Sequence, residues 1–492
     1  MTKAQADSLI RQIKAGAFKT KGYCIQHANG TAEGGGRRHV AESIAGEAQI
    51  PMIIIDAQEF ALKDIDAVSQ NTNLLEMKIK KIISNAKAQA ETNPNNTAMI
   101  FIKNFDNFAS DPLYGVSSIY ERKAFSQLLA EMDSVRRNDK VNLLVMGSMN
   151  RPELLDANIV KPYKFLNSIV VYQPHNAEER REVLEYYIDK MELQIEASDE
   201  KELDKIIQNV AESTSYFSVV DLMYLLETAQ SVAIEEGKDK ISSSDFTEAY
   251  LRTVSGVANT AYVDDSEKRI VTSHEAGHAL NLQIMKEVAL KRQIPWYLPD
   301  NVDFITLDPR GGFGGAMFHK PNKENRQTNF ETVMSNLVCS YGGHSAEKNI
   351  YNMAGTWGIT ADMEHVYSSA ESAVTIMGMG PKTGVRHIPR GYLGDVAVSE
   401  DLKKVIEKDR MSFENSALEI SDSIVNAYKD FILEFTEKHY VKVATGECII
   451  SGEQFIQELN EWRQKQSPEK QKELEYLEDK IVQTLEKTKK GI

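Results

Sequence analysis

The chain has 492 residues, 26% of them charged and 42% in the broad apolar class, an ordinary balance for a globular protein with room for about three cores. Its net charge of −15 argues against a nucleic-acid partner held by phosphate neutralisation. Three cysteines, Cys24, Cys339 and Cys448, lie far apart, which excludes a cysteine zinc cage and a disulfide framework and fits a reducing compartment.

The N-terminal stretch MTKAQADSLIRQIKAG reads as a short amphipathic helix and lacks the apolar core of a signal peptide. No run approaches the ~18–20 apolar residues needed to span a bilayer. The expectation is a cytoplasmic chain without a transmembrane segment. Association with a membrane through a partner, or through an anchor trimmed from a longer chain, is compatible with the same text.

Up to about residue 175, strand-like apolar runs alternate with helical patterns. KGYCIQHA, IPMIIID, TAMIFI, VNLLVMGS and NSIVVYQ are the predicted strands, spaced to leave room for crossover helices, as in an α/β domain with a mainly parallel sheet. From Ala177 to about Ser255 only helical periodicity remains, in AEERREVLEYYIDKM, EKELDKIIQNVAES, VVDLMYLLETAQSVAIEEG and SSSDFTEAYLRTV. A third, mostly helical region begins near Asp264, with one glycine-rich strand-like insertion, NVDFITLDPRGGFGGAMFHKP. The charged C-terminal stretch spaces Leu474, Leu477, Ile481 and Leu485 as a solvated amphipathic helix or short helical contact. The predicted divisions are 1–175 (α/β), 176–255 (helical lid), 256–464 (the third region) and 465–492 (charged helix).

The third region contains His-Glu-x-x-His in VTSHEAGHAL. On a helix His274 and His278 sit one turn apart on one face, so both imidazoles can bind one zinc ion. Glu275 projects close by, placed to take a proton from water at the metal, and Thr272 or Ser273 is the expected cap. A catalytic zinc needs a third protein ligand and an open fourth position. In GITADMEHVYSSAESAV, a helix expected to start near Thr360, Asp362, Glu364, His365 and Glu371 all qualify by residue type, and spacing does not choose among them. His365 shares a face with Asp362 and is a candidate supporting partner.

Nearly the whole chain resembles the FtsH family of AAA+ zinc metalloproteases. HEAGH matches the family's zinc helix, VDFITLDPRGGFGGAMF its segment ending in an active-site edge strand, YGGHSAEKNIY its Gly-Gly-x-x-Ala-Glu element, and ISGEQFIQEL its closing helix. GTWGITADMEHV matches the stretch with the third zinc ligand, an aspartate, and so implies Asp362. Gly314 and Gly315 would let a backbone approach closely, with a substrate strand pairing along Gly315, Ala316, Met317 and Phe318. IAGEAQIPMIIIDAQEF, FSQLLAEMD and MGSMNRPELLDANIVKPYKF follow the landmarks of the ATPase module.

The residues that do nucleotide chemistry depart from the family. The glycine-rich loop reads HANGTAEGGGRRHV, with Arg37 and Arg38 at the positions of the phosphate-binding Lys and the magnesium-binding Thr. In AMIFIKNFDNF, Lys103 and Asn104 replace the Asp-Glu pair that holds magnesium and orients water, and a lysine repels a metal ion. Lys161 and Lys164 stand where arginine fingers are expected, without the planar fork, while Asn150 keeps the water-sensing position. Acidic text near Asp64–Asp66 replaces the substrate-gripping loop.

The resemblance therefore implies a Zn2+-dependent endopeptidase acting on unfolded or loosely folded proteins, assembled as a homo-oligomer (a hexamer, by family). The AAA+ module is expected to have lost ATP hydrolysis, with ATP binding left open, and to serve in assembly or docking. The alternatives are a subunit or scaffold in a mixed ring with active relatives, or an ATP-dependent protease with a rewired nucleotide site.

Overall fold

The structure, a computed structural model, describes residues 2–27, 36–60, 74–111, 119–138, 140–156, 159–161, 164–259, 263–292, 299–321, 328–386, 388, 399–443 and 449–491. The chain forms two compact units. One comprises residues 1–175 with 182–187 and 216–224; the other comprises 176–181, 188–215 and 225–492.

The first unit contains α1 (Thr2–Lys14), β1 (Lys21–His27), α2 (Arg37–Ala48), β2 (Met52–Asp56), α3 (Leu74–Glu91), β3 (Thr97–Lys103), the short α4 (Phe105–Phe108), α5 (Ile119–Asn138), β4 (Asn142–Met149) and β5 (Asn167–Val171). The strands lie in the order β2-β3-β4-β1-β5, and every pairing is parallel. Each of the five predicted strands is present. The apolar runs of β3 and β4 are nearly continuous because both faces of the sheet are covered there. In β3, Ile100 and Ile102 pack with Ile79 and Ile83 of α3, while Met99 and Phe101 pack on the other side with Ile13 of α1 and Ile44 of α2. Each such side chain contributes roughly 1.5–3 kcal/mol by leaving water. Ligands of parallel α/β sheets sit beyond the carboxyl ends of the strands. Lys103 closes β3 at that end, and Asn150 follows β4.

The helical stretch predicted from Ala177 onward forms α6 (Ala177–Lys190), α7 (Glu200–Ser213), α8 (Val219–Glu235) and α9 (Ser243–Ser255). Portions of α6 and α8 belong to each unit. The second unit continues with α10 (Asp265–Lys291), β6 (Asn301–Thr306), β7 (Ala316–Lys320), α11 (Phe330–Ser340), α12 (Gly342–Tyr351), α13 (Thr360–Thr375), α14 (Glu400–Ala427), α15 (Lys429–His439), β8 (Ile449–Ser451), α16 (Gly452–Gln464) and α17 (Pro468–Lys490). The strands form a small antiparallel sheet in the order β7-β6-β8, which leaves β7 on an edge.

Helix α10 runs through the centre of this unit, buried on all sides from Thr272 to Met285. It begins two turns before the expected cap. Asp264 is the capping residue, accepting from the backbone N–H groups of Ser266 and Glu267. Thr272 instead donates to the Lys268 carbonyl, and Ser273 shares hydrogen bonds with Tyr351 and Thr436. Asp264 and Glu267 carry the spacing of a capping box, and the polar text between them forms the first turn of the helix. Helix α17 is no solvated appendage: Leu477, Ile481 and Leu485 are buried in the core built around α10 and α14, and Leu474 packs against it.

Candidate active site

Helix α10 sets the His274 and His278 rings side by side, centroids 4.7 Å apart. Their Nε2 atoms are 3.0 Å from each other and lie 3.3 and 3.4 Å from one oxygen of Asp362, in the first turn of α13. Four ligands at ~2.0–2.2 Å around a tetrahedral zinc are about 3.3–3.5 Å apart, so this triangle has nearly the edges such an ion requires. The remaining nitrogens are already committed. His274 Nδ1 meets Glu347 of α12 at 2.9 Å, and His278 Nδ1 meets the Cys339 carbonyl at 2.7 Å. Such outer bonds fix the tautomer that turns Nε2 to a metal. Two imidazoles and a carboxylate are a donor set that fits Zn2+ and leaves a fourth position open.

The charges at this cluster are strongly coupled. Burial opposes a proton on His274, but Asp362 and Glu347 outweigh it and raise its pKa to about 10. Burial likewise opposes ionisation of Asp362, yet the paired imidazoles hold it well below the usual carboxylate range. Glu275 goes the other way, because burial pushes its carboxyl up. The backbone N–H of Met317 in β7 donates to Glu275. Burial also pushes the nearby Cys339 thiol up, keeping it protonated.

Asp362 alone of the four rivals joins the cluster of metal-capable side chains among the described residues. Glu364 and His365 are exposed and Glu371 is half-buried. His365 does not support Asp362; its Nδ1 lies 3.0 Å from the Ser340 hydroxyl. One turn further along the helix is about 4.5–5 Å, too far to reach the paired histidines. The supporting residue that the sequence did not single out is Glu347, whose carboxylate also accepts from Thr356 N–H at 2.7 Å and from its hydroxyl at 2.9 Å. It thereby ties α12 to the turn that leads into Asp362. Gly343 explains part of the glycine pair beside it: a β-carbon there would fall 2.3 Å from the His274 ring.

The strand Ala316–Phe318 lies at the open edge of the small sheet, half-buried. The close approach permitted by Gly315 is to the chain's own helix. A β-carbon would come within 2.9 Å of Val271 and 3.1 Å of Glu275, whereas Gly314 faces Val271 at an ordinary distance of 3.4 Å.

At the strand ends of the first unit, Arg37 donates to the Met149 carbonyl and to the Asn150 side-chain oxygen. Arg38 is exposed and pairs with Glu42 of its own helix at 2.7 Å. Asn104, at φ 52°, donates to Asp56 at 2.9 Å, and Lys103 is half-buried beside it. Asp106 is buried and accepts from the backbone N–H groups of Asn150 and Arg151 at 3.3 and 3.0 Å. Lys161 and Lys164 are joined by a backbone bond of 3.0 Å, and Lys164 accepts from Gly22 at the start of β1. The glycine-rich stretch 28–35 and the acidic text at Asp64–Asp66 lie outside the described residues. No helix among the described residues is long and apolar enough to cross a membrane.

Comparison with known proteins agrees with this arrangement. The family model for the ATPase family associated with various cellular activities (AAA) matches residues 31–172, and that for Peptidase family M41 matches residues 261–440. The chain is 28% identical over 401 residues to the ATP-dependent zinc metalloprotease FtsH 2 of Salinibacter ruber, covering 81% of this chain and 53% of that protein. It is 26% identical over 424 residues to the ATP-dependent zinc metalloprotease FtsH of Syntrophotalea carbinolica, covering 84% and 59%. It is 27% identical over 437 residues to the chloroplastic ATP-dependent zinc metalloprotease FTSH 7 of Arabidopsis thaliana, covering 86% and 50%. The chain thus spans between half and two thirds of the length of these relatives. With an AAA domain on a parallel five-stranded sheet followed by a helical M41 domain, the chain belongs to the FtsH family of AAA+ zinc metalloproteases.

Proposed function

We propose that the chain is a zinc-dependent endopeptidase whose AAA+ module no longer hydrolyses ATP. The observation that carries the first half is the triangle of His274, His278 and Asp362 with Glu275 on the same buried face. His274, His278 and Asp362 would hold Zn2+, which when bound polarises the scissile carbonyl and lowers the pKa of water to roughly 7. Glu275 takes the proton from the attacking water and returns it to the leaving amine. Burial raises its basicity, the direction a general base needs. Among the described residues β7 is an edge strand, on which an extended peptide can be aligned.

The second half is supported by the side chains at the strand ends. Magnesium at a nucleotide is held by one or two carboxylates together with the phosphates. Lys103 and Asn104 at that end of β3 supply none, and the neighbouring Asp56 and Asp106 carboxylates already accept from Asn104 and from backbone N–H groups. Asn150 already accepts from Arg37, so the side chain expected to sense a nucleotide's attacking water is engaged within the protein. Lysines at 161 and 164 lack the fork that suits a γ-phosphate. Phosphoryl transfer depends almost wholly on positioning and charge stabilisation, so these replacements together leave little catalysis. The module then serves in assembly or substrate docking within a homo-oligomer, hexameric as in the family. Its substrates are protein chains already unfolded or loosely folded.

The test is digestion of an unfolded casein by the zinc-loaded chain with and without ATP. Zinc-dependent cleavage at the same rate in both is the expected result. A rate that requires ATP and disappears with a non-hydrolysable analogue would refute the pseudo-ATPase assignment.

A further inference from the structure

The hairpin that carries β7 is held by the lid helices. Arg310, in the segment between β6 and β7, is buried, and its guanidinium forks onto Glu248 of α9 at 3.2 and 2.6 Å. The same group donates to the Gly256 carbonyl, just past the end of α9, at 3.1 Å. Tyr250 of α9 sets its ring edge-on to Phe318 of β7 and to Phe304 of β6, at centroid distances of 5.6 and 6.0 Å. Those two rings stack on each other at 4.9 Å. At the far end of the strand, Lys320 reaches Glu212 of α7 at 3.4 Å.

The other side of β7 lies against the reacting residues. The Met317 N–H donates to Glu275, and Gly315 packs with no room for a β-carbon between it and the same helix. Phe318, which the lid ring touches, is the next residue after Met317. A shift of β7 of about 1 Å is enough to misplace a catalytic group and cost up to ~100-fold in rate.

We propose that Tyr250 is a positioning residue for peptide hydrolysis: through Phe318 and Phe304 it fixes where β7 lies beside α10, and so where Glu275 meets a substrate strand aligned on that edge. Arg310 and Glu248 hold the base of the same hairpin, so helix α9 grips it at two points. Any ligand or neighbouring subunit that displaces α9 acts on the peptidase site through this strand, without touching the metal-binding residues. The inference rests on the peptidase reading and adds a control point to it.

The experiment uses the full zinc-loaded chain with Tyr250→Phe, which keeps the ring, and Tyr250→Leu, which keeps apolar bulk but removes the edge-on contact. Tyr250→Phe is expected to stay within about twofold of wild type, while Tyr250→Leu loses about tenfold in kcat with its zinc content unchanged. Backbone amide exchange at Met317 and Phe318 is expected to quicken in Tyr250→Leu alone. Wild-type kcat and wild-type exchange in Tyr250→Leu would overturn the proposal, as would a fall in melting temperature with kcat unchanged. A wild-type chain without zinc-dependent cleavage would sink the peptidase reading, and exchange at β7 would still decide whether Tyr250 positions the strand.

Discussion

The Glu347 carboxylate lies 2.9 Å from Nδ1 of His274, and so leaves Nε2 of the same ring turned toward Asp362 at 3.3 Å. It also binds Thr356 at the turn preceding Asp362, so one side chain orients two of the three candidate ligands. Replacing Glu347 with alanine is expected to weaken zinc binding by about 10–100-fold while leaving the fold intact. Competition with a graded chelator measures this directly, and zinc affinity equal to wild type would remove Glu347 from the assignment.

The nucleotide end makes a separate prediction. A protein that binds ATP through a magnesium site is stabilised by the nucleotide in a magnesium-dependent way, by an amount set by ligand concentration over Kd. With Lys103 and Asn104 at the end of β3, any thermal shift produced by ATP or ADP here is expected to be the same with and without magnesium. A shift that appears only when magnesium is added would restore a working site.

Acid should loosen helix α9 through its cap. Asp245 accepts from Ser242 N–H at 2.7 Å and pairs with Lys238 at 2.9 Å. Burial opposes its charge, but these partners hold its carboxyl below the usual range. A pKa depressed on folding gives stability that is complete above the unfolded value of about 3.9 and is lost as pH falls through the folded value. Asp245→Asn is therefore expected to cost about 1 kcal/mol at pH 7, with the gap to wild type narrowing below about pH 4. Thermal unfolding of both proteins across that range supplies the comparison, and a gap independent of pH would contradict it.

Helix α17 carries a fourth expectation. Ile481 is buried in the core shared with α10 and α14. Truncation to alanine leaves a cavity worth ~2–5 kcal/mol. Denaturant unfolding followed by the fluorescence of Trp462, which lies in the same core, reports the loss. Stability unchanged by Ile481→Ala would return α17 to the solvated helix that its charge suggests.

The parts legible in the sequence share a cause. β3 and β4 could be read from their apolar runs because strands covered on both faces bury nearly every position, and the helix of His274 and His278 could be read because two such histidines need one helical turn between them. What could not be read depends on neighbours distant in sequence. Asp362, Glu364, His365 and Glu371 share a helix and a chemistry that spacing does not separate; the family resemblance implies Asp362, and the crossing of α13 near α10 sets that residue beside the two histidines. Glu347 stands 73 residues after His274, on a helix whose sequence shows no ligand spacing. The start of α10 was legible in principle, since Asp264 and Glu267 have capping-box spacing, but the motif inside the helix drew the expected boundary to Thr272. The contact of α9 with the β6–β7 segment depends on Arg310 meeting Glu248 across 62 residues, and no periodicity announces such a pair.

The most direct measurement is bound zinc, assayed beside casein cleavage, in wild type, Glu275→Gln and Asp362→Ala. The expected pattern is stoichiometric zinc in the first two proteins and its loss in the third, with cleavage confined to wild type. Zinc retained in full by Asp362→Ala, or cleavage surviving in Glu275→Gln, would contradict a hydrolytic centre built from His274, His278, Asp362 and Glu275.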